Sequence, residues 1–243
     1  MWGGARENLI ATHRFYVAQA RSRLLGQFND ATLEADAQRH ADEWLERRGR
    51  FFDPDRDDPA ADYERAHDEQ ISFHLSLAAL RDDVRFSIIA GMFHQWEKEV
   101  RSWVDRELQQ LFRGPAVRHA VWTAKFKDLI NLFEACSWGT RAQCFYEHLH
   151  RCHLVVNVYK HGNGPSFEEL RREAPDLIRG QELPGFFASA LDYSSVRVSD
   201  DDLGVFAEAI TGFWRAVPEN TMLSQVTETP KWLEKALSKE APA

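Results

Sequence analysis

Apolar positions along this chain recur mostly at helical spacing, and the stretches between them carry helix-stop residues. Arg6 to Phe28 places Leu9, Ile10, Phe15, Val17, Leu24 and Leu25 on one side and predicts a helix ending at Asn29-Asp30. Asp30 is then expected to cap a second helix, Ala31 to about Phe52, whose few large apolar residues mark it as outer and mostly solvated. The proline- and charge-rich run Asp53 to Pro59 reads as a loop. From Ala60 to Phe112 there is no proline and no glycine except Gly91, and the apolar stripe from Ile71 to Leu111 keeps a helical period. One helix of that length would span about 75 Å at 1.5 Å per residue, so a break is expected near Arg81 to Arg85, where Arg-Asp-Asp interrupts the stripe. A long projecting helix that contacts a second copy is the alternative.

The next helix opens at Gly114-Pro115 and runs through Phe133, and a break at Ser137 to Gly139 follows. Thr140 to about His161 then reads as a central helix of about twenty residues, closed by Gly162 with Asn163, Gly164 and Pro165 as turn formers. Ser166, with Glu169 three residues on, has the form of a capping box for a short helix ending near Glu173. Pro175 and Pro184 mark a linker, and Tyr193 to Val198 alternates as a short strand or extended arm would. Ser199 and Asp200 to Asp202 cap a last amphipathic helix that stops before Pro218. These elements predict an all-α fold: a multi-helix bundle with long central helices and a small irregular C-terminal appendage. Residues 1–220 are expected to form one bundle domain, and 221–243 a weakly ordered tail with one short helix.

Composition narrows the picture. Hydrophobic residues make up 44% of 243, with eight tryptophans and sixteen phenylalanines, which is ample for an aromatic core. No apolar run approaches the roughly eighteen residues of a membrane span, and the N-terminus lacks the basic-then-apolar form of a signal peptide. A cytoplasmic chain without membrane contact is expected. The net charge of −8 runs against general nucleic-acid binding, although Arg141 to His161 carries two arginines and one lysine against Glu147 alone. Cys136, Cys144 and Cys152 recur every eight residues, and the odd number disfavours a disulfide framework. They read as small buried apolar groups, with Cys144 and Cys152 on one face.

The central helix concentrates the candidate chemistry. His153, Asn157 and His161 are spaced by four and share a face, bordered by His150 and Lys160. The run Asn157-Val158-Tyr159-Lys160-His161-Gly162, late in a helical bundle, resembles the terminal motif of HEPN-type proteins. These are small all-α domains, many of them metal-independent ribonucleases of toxin–antitoxin and antiviral defence systems. Their motif is Arg, a polar residue, then His, with four to six residues between the first and last. Here Val156 precedes Asn157, and nine positions separate Arg151 from His161. Arg141 and His148 have the Arg, six residues, His spacing, but with Ala142 in the polar position. The resemblance implies a catalytic set of His161, Asn157, His153 and Lys160, with Arg151, Arg141 and His150 holding RNA. It also implies a homodimer, a cognate partner protein and no cofactor.

Three readings of this face remain open on sequence. As a ribonuclease site, His161 would move the 2′-hydroxyl or leaving-group proton, Asn157 would orient it or donate to phosphate, and Lys160 would balance charge. As a structural seam, the histidines and Asn157 would fix helix register in a silent bundle that senses, scaffolds or binds a partner. Metal ligation by His148 with Cys152, or by His150 with His153, lacks a second cluster with ligand spacing, and no metal site is expected. His94, Glu97 and Lys98 form a lesser candidate that borders the seam, with Glu97 placed to orient a histidine. Trp122, Phe126, Trp138, Phe213 and Trp214 fit helix periods and read as core. Phosphate-loop, dinucleotide, nucleophile-elbow and zinc-protease motifs are absent.

Overall fold

The computed structural model describes residues 1–112, 114–180, 190–221 and 225–240. Pro184 of the expected linker lies outside the described residues. What is described is all-helical: α1 (Gly3–Arg23), α2 (Asp30–Gly49), α3 (Pro59–Gln109), α4 (Pro115–Thr123), α5 (Phe126–Ala135), α6 (Tyr146–His161), α7 (Pro165–Glu173), α8 (Asp200–Ala216) and α9 (Lys231–Leu237). Among the described residues there is no strand, and Tyr193 to Val198 makes a 3-10 turn followed by one antiparallel bridge, Ile178 to Val196. No described helix is long and apolar enough to cross a membrane.

Backbone contacts divide the chain into two compact units, Ala18–Ile88 and Met1–Val17 with Ile89–Ala243. In the first, α2 buries Leu33, Ala37 and Ala41, and α3 buries Ala66. Arg48 then pairs with Asp57 at 3.2 Å and Asp62 at 3.1 Å, and His40 stacks on Phe73 at 4.3 Å. Asn29 caps α2, its side chain accepting from the Thr32 amide at 2.9 Å, so the cap falls one residue before the expected Asp30. Asp30 instead accepts from Arg81 at 2.7 Å.

The break expected near Arg81 to Arg85 does not occur. α3 is continuous for 51 residues. Arginine and aspartate, unlike proline or glycine, leave the backbone free to stay helical, and Arg85 donates to Asp82 at 2.7 Å on that same helix.

The larger unit is built on aromatic packing. Phe93, Trp96 and Val100 of α3, Ile130 and Phe133 of α5, Leu149 and Val156 of α6, and Phe213 and Trp214 of α8 are all buried. Trp96 meets Phe213 edge-to-face at 5.2 Å, a favoured aromatic geometry. Gly91 has a specific reason to be glycine: a Cβ there would lie 2.1 Å from the Tyr16 hydroxyl. Ser199 caps α8 as expected, and Asp202 completes a capping box with it, with bonds of 3.1 and 2.7 Å. α7 differs from expectation. It starts at Pro165, with Gly164 ahead of it and no side-chain cap, so Ser166 lies inside the helix. Proline at the first helical position accounts for this, because its missing N–H needs no partner there.

The C-terminal appendage lies on α4 and α5. α9 buries Leu233 and Ala236, Glu240 accepts from the Val117 amide at 2.9 Å, and the Thr227 amide donates to the Ala135 carbonyl at 2.8 Å.

Candidate functional site

α6 starts at Tyr146, later than expected, because a 3-10 turn at Thr140–Ala142 precedes it. Arg141 is therefore not on the helix that carries His148. Cys144 is exposed in the intervening segment, so it does not share a buried face with Cys152. Cys152 is fully buried, and burial pushes its thiol far above the ordinary range. At the other end Gly162 closes α6 with φ 68° and ψ −139°, a conformation suited to glycine alone.

Of the predicted catalytic residues, two come together. The side chains of His153 and Asn157 approach at 3.0 Å between Nε2 and Nδ2, the expected i,i+4 pairing. The His153 ring faces inward: it stacks on Phe126 at 4.3 Å and 15° and lies 5.6 Å from Phe93. Burial lowers its pKa to about 4, with the neighbouring His150 adding to the fall and Glu97 opposing it. His153 Nδ1 is buried without a hydrogen-bond partner among the described residues. A half-buried ring that stays neutral down to about pH 4 and is stacked on Phe126 is poorly placed to exchange protons with a substrate.

His161 and Lys160 lie elsewhere. Both are exposed at the C-terminal end of α6, where neither has a hydrogen bond or ion pair to the described residues. Beside them the Asn163 side chain accepts from the Tyr193 amide at 2.8 Å, holding the 3-10 turn at Tyr193–Ser195 against the end of the helix.

The residues expected to hold RNA are engaged internally. Arg151 pairs with Asp176 and, at 4.0 Å, with Glu147. Arg141 donates to Asn131 at 2.7 Å. His150 Nε2 lies 2.9 Å from Glu173 and 3.7 Å from Glu169 on α7. Glu97 sits at 3.7 Å from His94 and 2.6 Å from Arg101, while Arg101 also donates to the Val121 carbonyl at 2.8 Å. Glu97 thus borders the seam as expected, but its strongest partner is Arg101 rather than a histidine. Lys98 is exposed.

A second region of the same unit has open volume. A recess of about 490 Å³ lies between the end of α3 and α5, lined by Trp103, Leu108, Leu111, Leu132, Phe133 and Trp138 among others. Trp103 and Trp138 stack at 5.5 Å and 23°, and Trp138 lies 4.9 Å from Phe133 at 8°. Backbone geometry sets Trp138 in place. Its neighbours Ser137 and Gly139 have φ of 60° and 57°, and the Ser137 hydroxyl donates to the Gln225 carbonyl at 2.6 Å. A non-glycine residue in that conformation costs about 1–2 kcal/mol, so the turn is maintained by its surroundings. The Trp138 indole donates to Thr221 at 2.9 Å and the Trp103 indole to Glu107 at 2.9 Å. Among the described residues the charged side chains on the lining are Glu107 and Glu219, with no lysine, arginine or histidine. Sequence reasoning placed Trp138 in the core and passed over Trp103 and Leu111 as a site. The available signal was slight: an apolar Leu111-Phe112 pair continuing past the end of α3, and a tryptophan set inside a turn.

The chain matches no protein-family model, no curated protein and no solved structure.

Proposed function

We propose that this protein is a non-catalytic helical binding module, a sensor whose recess receives a compact apolar molecule. The observation that carries this reading is the recess itself: about 490 Å³, walled by two tryptophans, a phenylalanine and leucines. Small-molecule sites are typically apolar concavities of about 300–1,000 Å³ with a few placed polar groups. The Glu107 carboxylate, held at 2.9 Å by the Trp103 indole, is such a group. The Glu107 and Glu219 carboxylates on the lining face the Met1 ammonium, which donates to the Pro218 and Glu219 carbonyls at 2.7 and 2.6 Å, so the recess favours a neutral ligand.

The test is a fluorescence titration of the full chain with the neutral probe phenylnaphthylamine. Saturable binding is expected, weakened about tenfold or more by Leu111→Asp, because a charge at the rim must be desolvated when the probe enters. Leu111 is 69% exposed, so the variant keeps its fold. Equal binding by wild type and variant would refute the recess as the site.

Ribonuclease action of the HEPN kind is the second reading, favoured by the open His161–Lys160 end of α6. It requires an arginine at the phosphate, and in this chain Arg151 and Arg141 are occupied by Asp176 and Asn131. Total RNA and defined tRNA, incubated with the protein in EDTA, decide between the two. No cleavage by wild type or His161→Ala is expected. Cleavage in EDTA that His161→Ala abolishes, with the fold retained by circular dichroism, would establish the catalytic reading instead.

A further inference from the structure

We propose that His150, Glu169 and Glu173 form a binding site for a divalent transition-metal ion of the zinc class, which ties α6 to α7. One ligand atom from each side chain lies within 4.8 Å of the others. Glu169 and Glu173 are one turn apart on the same face of α7, and the imidazole meets them from α6. Its Nε2 stands 2.9 Å from a Glu173 oxygen and 3.7 Å from a Glu169 oxygen. Ligands about 2.0–2.2 Å from a tetrahedral zinc stand roughly 3.4 Å apart, so small side-chain rotations convert this contact set into a coordination set.

The ring is already aimed. His150 lies between Tyr146, at 6.1 Å and 5°, and Phe126, at 6.1 Å and 22°, with Nε2 at the carboxylates and Nδ1 buried in the protein. Arg172 donates to Glu173 Oε1 at 2.9 Å, which leaves Oε2, the oxygen nearest the imidazole, as the ligand. Two carboxylates against the one guanidinium that bonds Glu173 leave the acidic side chains in excess at a site for a cation. One nitrogen and two oxygens suit zinc-class ions better than calcium or magnesium, which prefer oxygen alone. The three side chains are partly exposed, so solvent fills the remaining position. His150 Nδ1 has no hydrogen-bond partner among the described residues. Loss of such an outer partner weakens metal sites about 10–100-fold, so moderate affinity is expected.

The site is independent of the recess and of any reaction at His161. Its test is calorimetric titration of the full chain with Zn²⁺, together with the visible spectrum of the Co²⁺ form. Wild type should take up one equivalent and melt at a higher temperature with Zn²⁺ present. Glu169→Gln, Glu173→Gln and His150→Ala should each weaken binding at least about tenfold, taking the outer-partner loss as a floor. Glu169→Gln alters a side chain that is 41% exposed and so separates loss of the site from loss of the fold. Three results would overturn the proposal: no uptake by wild type, unchanged uptake by Glu169→Gln, or a thiolate-to-Co²⁺ charge-transfer band assigning the ion to a cysteine.

Discussion

The seam around His153 and the recess beside Trp103 belong to the same unit, yet they use their side chains in opposite ways. In the seam, residues with catalytic potential are spent on one another and on the core: His153 on Phe126 and Asn157, Arg151 on Asp176, Arg141 on Asn131. In the recess, residue types that normally fill a core surround about 490 Å³ of open volume instead. Reactive residue types on one helical face therefore do not make a reactive site. What matters is whether their polar atoms are left available once the neighbouring helices have packed.

The contrast can be broken at the seam first. Phe126 is buried and stacks on both His153 and His150, so Phe126→Ala should cost about 3–5 kcal/mol of stability, measured by chemical denaturation. A loss under about 1 kcal/mol would mean that the stack is not part of the core.

Acid sharpens it next. An unfolded chain protonates its histidines near pH 6.5, whereas the folded protein keeps His153 neutral down to about 4. Between those values the unfolded state binds more protons, so stability is full above about pH 6.5 and falls as pH drops toward 4, by about 3 kcal/mol from this group. His13, also lowered by burial, contributes in the same direction. The difference between wild type and His153→Gln isolates the His153 share, and the variant should show the shallower acid slope. Parallel slopes would mean that His153 protonates freely in the folded protein.

The smallest effect belongs to the recess. Leu111→Asp should change stability by no more than about 0.5 kcal/mol while weakening probe binding about tenfold or more. A large stability loss would make Leu111 a core residue rather than a rim.

The helical architecture was legible because its signals are local. Periodicity located the helices, and the Ser199–Asp202 box and Gly162 act as cap and stop. Local rules misjudged cases where two of them compete. Asn29 and Asp30 are both good caps, Pro165 overrides Ser166 as a helix start, and a polar Arg-Asp-Asp interrupts a hydrophobic stripe without interrupting the α3 backbone. On α6 the face shared by His153 and Asn157 could be read from spacing of four, but their partners could not. Phe126, Asp176 and Glu173 come from other elements, and no spacing rule reaches across a helix interface. The recess was hidden for the same reason, since Trp103, Leu132 and Trp138 meet only through the packing of α3 against α5 and the turn that follows it.

The most direct measurement is the phenylnaphthylamine titration read at the indole N–H resonances of isotope-labelled protein, with the eight tryptophans assigned by substitution. The account predicts saturable shifts at Trp103 and Trp138, with Trp44 and Trp122 unmoved. Shifts confined to other indoles, or none at saturating probe, would contradict it and remove the recess as the site of recognition.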